Sequence, residues 1–369
     1  MSSAGKYDLI VIGGGPAGAA AAIVAGGNGR RVLLLERGKF PRHKVCGEFV
    51  SAESLGLLKT LLDSQQSGLL RDAVQIPGAR LFLDDRTLST VVDPPAASIA
   101  RLDLDLALWD SAERAGVDAR QQVTVQSISG SGPFRLVTSA GEFESRAVIN
   151  ASGRWSNLNA RAGETEQIEK WIGLKAHFAE PFPNSSVDLY FFDGGYCGVQ
   201  PVEVNGAHSG NGRVNACAMV RADVASTLPE VFTRHDALRE RSLRWRPLSD
   251  PVSTSPLIFH KPQPERDGVL MAGDAAGFVD PFVGDGISLA VRSGSLAAGC
   301  LIPFFAGESA LQHAVQRYCE AYEQRLALVF RASSILRRML VLPKVVRIPL
   351  LFLLTKAPSI ARYMVRKTR

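Results

Sequence analysis

The sequence predicts an α/β chain, α+β overall, from three observations. A glycine-rich turn joins an apolar strand to an alanine-dense helix near the start. A second strand, loop and helix with glycines of its own follows about 250 residues later. Between them lie stretches whose apolar and polar residues alternate at the period of a strand. Together these predict a discontinuous Rossmann-like domain, an antiparallel-sheet domain set into it, and a C-terminal helical segment. The length of 369 residues suits more than one core, and 46% hydrophobic with 21% charged residues is an ordinary globular composition.

The first unit is YDLIVIGGGPAGAAAAIVAGGNGRRVLLLERG. Tyr7 to Ile12 is a β-rich apolar run, Pro16 to Ala25 a helix, and Arg31 to Leu35 a second strand. Gly13, Gly15 and Gly18 satisfy the GxGxxG pattern. The first permits the sharp turn, the second lets a pyrophosphate approach the backbone, and the third lets the helix pack on the strand. The helix start offers N–H groups and a partial positive charge to phosphates. Glu36, closing the second strand, is placed to accept both ribose hydroxyls of an adenosine. A purely structural glycine turn is the alternative; the flanking strand, helix and acid favour a dinucleotide.

Just beyond comes RHKVCGEF, Arg42 to Phe49, with Cys46 behind three cationic or titratable side chains. A cysteine between Val45 and Gly47 is most often a small buried hydrophobe. If Arg42, His43 and Lys44 face it, they would activate the thiol; otherwise they neutralise the pyrophosphate.

The middle of the chain carries ARLFLDDRTLSTVV and DLYFFDGGYCGVQPVEVNGAHSGNGRVNACAMV, whose alternation and Gly/Asn/Ser turns predict antiparallel strands. The second informative unit is GVLMAGDAAGFVDPFVGDGISLAVRSG. A short strand, Val269 to Ala272, ends in Gly273 and Asp274, and a loop with Pro281, Gly284 and Gly286 opens a helix. Asp274 suits a ribityl hydroxyl, and the helix dipole suits a flavin carbonyl. A cofactor gripped at both ends is FAD rather than NAD, which needs no second anchor.

The two motifs resemble those of the flavoprotein superfamily of p-hydroxybenzoate hydroxylase-like enzymes, and ERGKFPRHKVCGEFVS is closest to its geranylgeranyl reductase branch. The resemblance runs from residue 7 to about 300. It implies FAD contacts at Ala17, Arg37, Arg42, Cys46, Gly47 and Ile287 besides the residues above. It also implies that Arg101 touches the flavin nucleotide and that Val125 meets the adenine through its main chain. A surface arginine at a helix entry is the other reading of Arg101. The family's Asp-Gly motif here is VINASGRWS, with Ser152 in place of the acid, so the acid's part in NADPH binding does not carry over.

The implied organisation is an FAD domain of residues 1–75, 97–165 and 251–330, with 76–96 and 166–250 forming a substrate sheet that roofs the flavin and 331–369 a basic apolar tail. On the roof the family's Tyr-x-Trp-x-Phe-Pro motif is matched by Tyr196, Gly198, Gln200 and Pro201, so two large rings are replaced and a different substrate shape is implied. Tyr196, Gln200 and Pro201 are candidate substrate residues, with ordinary sheet positions as the alternative. Cys46 is the candidate acid, delivering a proton beside the carbon that takes hydride.

The charge pattern excludes a general nucleic-acid surface. Residues 324–369 hold eleven Lys/Arg and no acid, so of the net +6 the other 323 residues carry −5. That tail could lie on an anionic membrane surface, line a greasy entrance, or cap the core. Five scattered cysteines and six scattered histidines give no metal-ligand spacing, so no metal is expected. Only Lys6 precedes the apolar N-terminal run and Asp8 interrupts it, so export is not expected, nor is a membrane span. A cytoplasmic protein, peripheral to the membrane at most, is expected.

The expectation is an FAD-dependent oxidoreductase acting on a hydrophobic small molecule, prenyl-lipid or polyketide-like, with NADPH or NADH as donor. C=C reduction fits the KVCGEF segment, and hydroxylation of an aromatic or polyketide substrate is the competing chemistry. Halogenation is disfavoured because no W-x-W-x-I-P signature is present. A membrane electron-transfer flavoprotein, supported only by the tail, is the reading from another class.

Overall fold

In a computed structural model the fold is described for residues 5–83, 86–154, 158, 170–204, 211–254, 256–257, 259, 261–279 and 284–330. Strand β1 (Gly5–Ile12) leads through the glycine turn into helix α1 (Pro16–Gly27) and strand β2 (Val32–Glu36). Then come β3 (Phe49–Val50), α2 (Ala52–Leu61), α3 (Gly68–Arg71) and the long hairpin β4 (Val74–Leu83) and β5 (Arg86–Ser98). Helix α4 (Arg101–Arg114) returns to the first domain, followed by β6 (Asp118–Gln121), β7 (Val125–Ser129), β8 (Phe134–Thr138) and β9 (Gly141–Asn150). The second domain takes β10 (Trp171–Pro181), β11 (Ser186–Phe192), β12 (Gly195–Val204), β13 (Asn211–Arg221), α5 (Leu228–Phe232), α6 (Asp236–Ser242), β14 (Arg246–Pro247) and β15 (Val252–Thr254). The chain closes with β16 (Glu265–Arg266), β17 (Val269–Met271), α7 (Gly286–Phe305) and α8 (Leu311–Arg325).

Two sheets result. The first runs β16-β17-β9-β1-β2-β6 with β7 and β8 attached through β9. Its centre, β17-β9-β1-β2-β6, is parallel. Strands buried on both faces read as unbroken apolar runs, and Val32 to Leu35 are all buried. Helix α7 crosses α1 so closely that a Cβ at Gly294 would overlap the Ala17 carbonyl.

The second sheet runs β14-β10-β13-β12-β11-β4-β5-β3, with β15 on β10. Alternation splits it into two faces. Leu174, Ala176, Phe178, Val199, Ala216 and Ala218 pack against α5 and α6 with Leu228, Val231, Phe232 and Trp245. The other face turns toward the first domain.

One expectation needs correction. Residues 49–50, 74–75, 97–98 and 252–254, expected in the first domain, pair within the second sheet: β4 and β5 run past the expected boundaries, and the short strands β3 and β15, inside the segments expected for the first domain, pair with β5 and β10. By length and composition alone α7 could cross a membrane. It is a core helix of the first domain: Ile287, Leu289, Val291, Ala297, Ala298 and Leu301 are buried against its neighbours.

Candidate functional site

Four segments far apart in sequence meet at the carboxyl ends of the parallel strands, where open α/β sheets bind ligands. Gly13 follows β1, Glu36 ends β2, Ala151 and Ser152 follow β9, and Gly273 and Asp274 follow β17. Gly13 has φ +99°, and an added Cβ would sit within 2.7 Å of the Ala151 carbonyl carbon and 2.8 Å of the Ser152 Cα, so only glycine fits. A Cβ at Gly18 would overlap the Gly13 carbonyl oxygen. These two are glycines because the chain itself crowds them.

Gly15 is different. The nearest atom to its added Cβ is Arg101 Nη2, 3.9 Å away, so the space above this N-cap is open and cationic. No side chain caps α1, and its first N–H groups face that space. Arg101 opens α4 with its side chain 15% exposed and forks onto Asp105 at 2.7 and 2.8 Å. Burial works against its charge, but Asp105 and the neighbouring Cys46 sulfur more than offset this and hold the guanidinium protonated. The surface reading of Arg101 is thereby overturned.

Glu36 is buried and fixed: Gly14 N–H donates at 2.8 Å, Gly38 N–H at 2.6 Å, and Arg42 pairs at 2.8 Å. Arg42 also lies over Phe40. Arg37 is exposed. Val123 N–H donates to the Glu36 carbonyl at 3.0 Å, which brings the buried Val125 at the head of β7 beside the same corner.

At the far end, Gly273 packs against Ala17, so the second motif touches the first helix. Asp274 pairs with Arg154 at 3.5 Å, and Arg154 stacks over Phe278 at 3.9 Å. Nothing lies within 4 Å of a Cβ at Gly286, the first residue of α7, whose N-terminus also has no side-chain cap. Gly284 abuts Phe49, and the Ile287 side chain is in the core, leaving its main chain for any ligand. Pro281 lies outside the described residues. Ser152 is tied back on Asn150 Oδ1 by its N–H and hydroxyl.

Two of the three groups expected around Cys46 face other partners. Arg42 is on Glu36 and the His43 ring lies 5.5 Å from that of His177, while Arg101 is the cation beside the half-buried thiol. Gly47 is exposed. The roof residues divide too. Tyr196 lies on the inner face in an apolar cluster with Met219, Leu257 and Phe278, and Gln200, two residues pairs along, donates to Ser98 Oγ at 2.6 Å. Pro201 pairs with Val214 and, being odd in the alternation, faces away from them.

Four residues at this interface were not foreseen: Glu48, Lys175, His177 and Asn215. Glu48 is fully buried; Lys175 pairs with its Oε1, and His177 Nε2 lies 2.8 Å from its Oε2. Burial would raise this carboxyl, but His177 and Lys175 hold it below the ordinary glutamate value. Cys217, on the same face, has its thiol pushed up by burial.

An ADP half fits the open, cationic space over Gly15 beside Glu36, and the uncapped α7 N-terminus fits the electron-rich edge of a flavin. Such a site on such a fold defines an FAD-dependent oxidoreductase. Residues 8–52 match the family model described as FAD dependent oxidoreductase. The chain is similar to menaquinone reductase of Mycobacterium tuberculosis, 28% identical over 332 residues, covering 82% of this chain and 78% of that protein. It is also similar to digeranylgeranylglycerophospholipid reductase 2 of Methanopyrus kandleri, 24% identical over 355 residues and covering 88% and 84%. Among solved structures, the flavin-dependent brominase Bmp2 superposes with a TM-score of 0.77 at 20% identity over 99% of this chain and 93% of that one. A geranylgeranyl bacteriochlorophyll reductase-like protein from Thermoplasma acidophilum gives 0.70 at 20%, over 92% and 88%. At these identities the structures share the fold alone.

Proposed function

We propose that the protein reduces a C=C bond in a hydrophobic, isoprenoid-like small molecule, with NADPH or NADH as the source of electrons. The observation that carries this reading is the apolar cluster of Tyr196, Met219, Leu257 and Phe278, in which the inner face of the roof meets the segment following Asp274. A hydrocarbon chain held there loses water at about 25 cal/mol per Å² of buried surface. Two relatives named above act, by their names, on a menaquinone and a digeranylgeranyl lipid, which supports a prenyl chain.

Bound and reduced, FAD supplies the hydride. Hydride reaching one carbon of the double bond requires a proton at its neighbour. Cys46 can hold that proton, its sulfur fixed by the Glu48 N–H at 3.3 Å and by Arg101. Leu257 and Phe278, buried in the apolar cluster, keep water from that part of the interface.

Incubating the FAD-loaded protein with reduced nicotinamide and polyprenyl compounds, under nitrogen and in air, tests this by product mass. A gain of two hydrogens under nitrogen is expected. A single added oxygen, formed only in air, would make the protein a hydroxylase instead.

A further inference from the structure

The chemistry above uses Cys46 and Arg101 but not the buried charges behind them. Glu48 has φ 63°, a left-handed backbone that a glutamate rarely adopts, and its carboxylate is wholly out of water. Each feature is unfavourable alone and persists only where its surroundings impose it.

Those surroundings come from three elements. From the roof, Lys175 and His177 of β10 reach both carboxylate oxygens. From α4, the Arg101 N–H donates to Oε1 at 2.9 Å. From its own loop, the Glu48 N–H donates to Cys46 Sγ at 3.3 Å, while its carbonyl accepts from Ile99 N–H at 3.0 Å. Asn215 of β13 adds a second tie, donating to the Cys46 carbonyl at 2.9 Å.

We propose that Glu48 is a positioning residue that locks the roof to Cys46 and Arg101, so that thiol and guanidinium are held in place toward the cofactor only while the two domains are docked through this carboxylate. The inference rests on the reading that FAD lies along the carboxyl edge of the parallel sheet. A carboxylate kept only for stability is readily replaced by apolar residues, whereas one that joins a roof strand, a helix start and a loop has a geometric use.

The test is the double variant Glu48→Gly/Lys175→Met. Glycine accepts the left-handed backbone, and removing both charges leaves neither buried alone. We expect near wild-type melting of the apoprotein, but FAD binding weakened about tenfold, ~1.4 kcal/mol, and alkylation of Cys46 by iodoacetamide accelerated by a similar factor on the Cys46 peptide. Wild-type affinity and alkylation rate in the double variant would overturn the proposal. If that variant is recovered only as aggregate, E48Q is read by the same two measurements with the same criteria. Failure of the wild type itself to bind FAD would instead overturn the reading on which the inference rests.

Discussion

Gly13 and Gly15 share one turn but meet different surroundings, and substitution separates folding from cofactor binding there. Gly13→Ala meets the Ala151–Ser152 backbone at a positive φ, so the apoprotein should lose at least about 1 kcal/mol, visible in chemical denaturation. Gly15→Ala meets only open space beside Arg101. Its melting should be unchanged while FAD affinity, followed by flavin fluorescence, falls about tenfold. Glu48 offers a test in pH. Its native value is depressed, so its stabilisation is fully present above the ordinary value of 4.5 and is lost as pH falls through the lower native value. The melting difference between wild type and Glu48→Gln should stay level from pH 7 to about 5 and shrink in stronger acid. A difference that grew on acidification would contradict the assignment of charge to Glu48.

At the scale of elements, what could be read from sequence is explained by what each element does locally. The glycine turn, α1, β2, β17 and α7 were legible because a dinucleotide site needs a fixed order of strand, turn and helix. Lys175 and His177 were not. In WIGLKAHF they fall on the polar positions of an alternating strand, which ordinarily means water, and here Val45 and Glu48 of the preceding loop lie against β10 at those interior positions. Glu48, in a short loop, carries no periodic signal at all. The outer face of the roof holds a second ionic group with no part in the chemistry. Arg241 of α6 forks onto Glu180 at 2.6 and 2.7 Å and reaches Asp188 at 2.6 Å, and Asp188 also takes Arg80. Arg241→Met would leave both acids buried without this partner, and should cost about 3 to 5 kcal/mol in denaturation while leaving FAD affinity intact. Weakened FAD binding in that variant would mean that the two faces of the roof are coupled.

The whole molecule is two sheets joined along the proposed cofactor path, with the packed apolar cluster around Tyr196 and Phe278 at one end and the open, cationic corner over Gly15 at the other. Residues 331–369 lie outside the described structure, and their cations without acids suit an anionic lipid surface. Full-length protein should sediment with anionic vesicles more than a form ending at residue 330, and the difference should vanish at high salt. Equal sedimentation would leave the tail no membrane role. The central claim, one FAD held by both glycine-bearing turns, is tested most directly by titrating FAD into wild-type, Gly15→Ala and Gly286→Val apoproteins while following flavin fluorescence. One FAD per wild-type chain, with binding weakened by each substitution at its own end of the path, is the predicted result. A chain that remains colourless with excess FAD, or a variant at either end that binds as tightly as wild type, would contradict it.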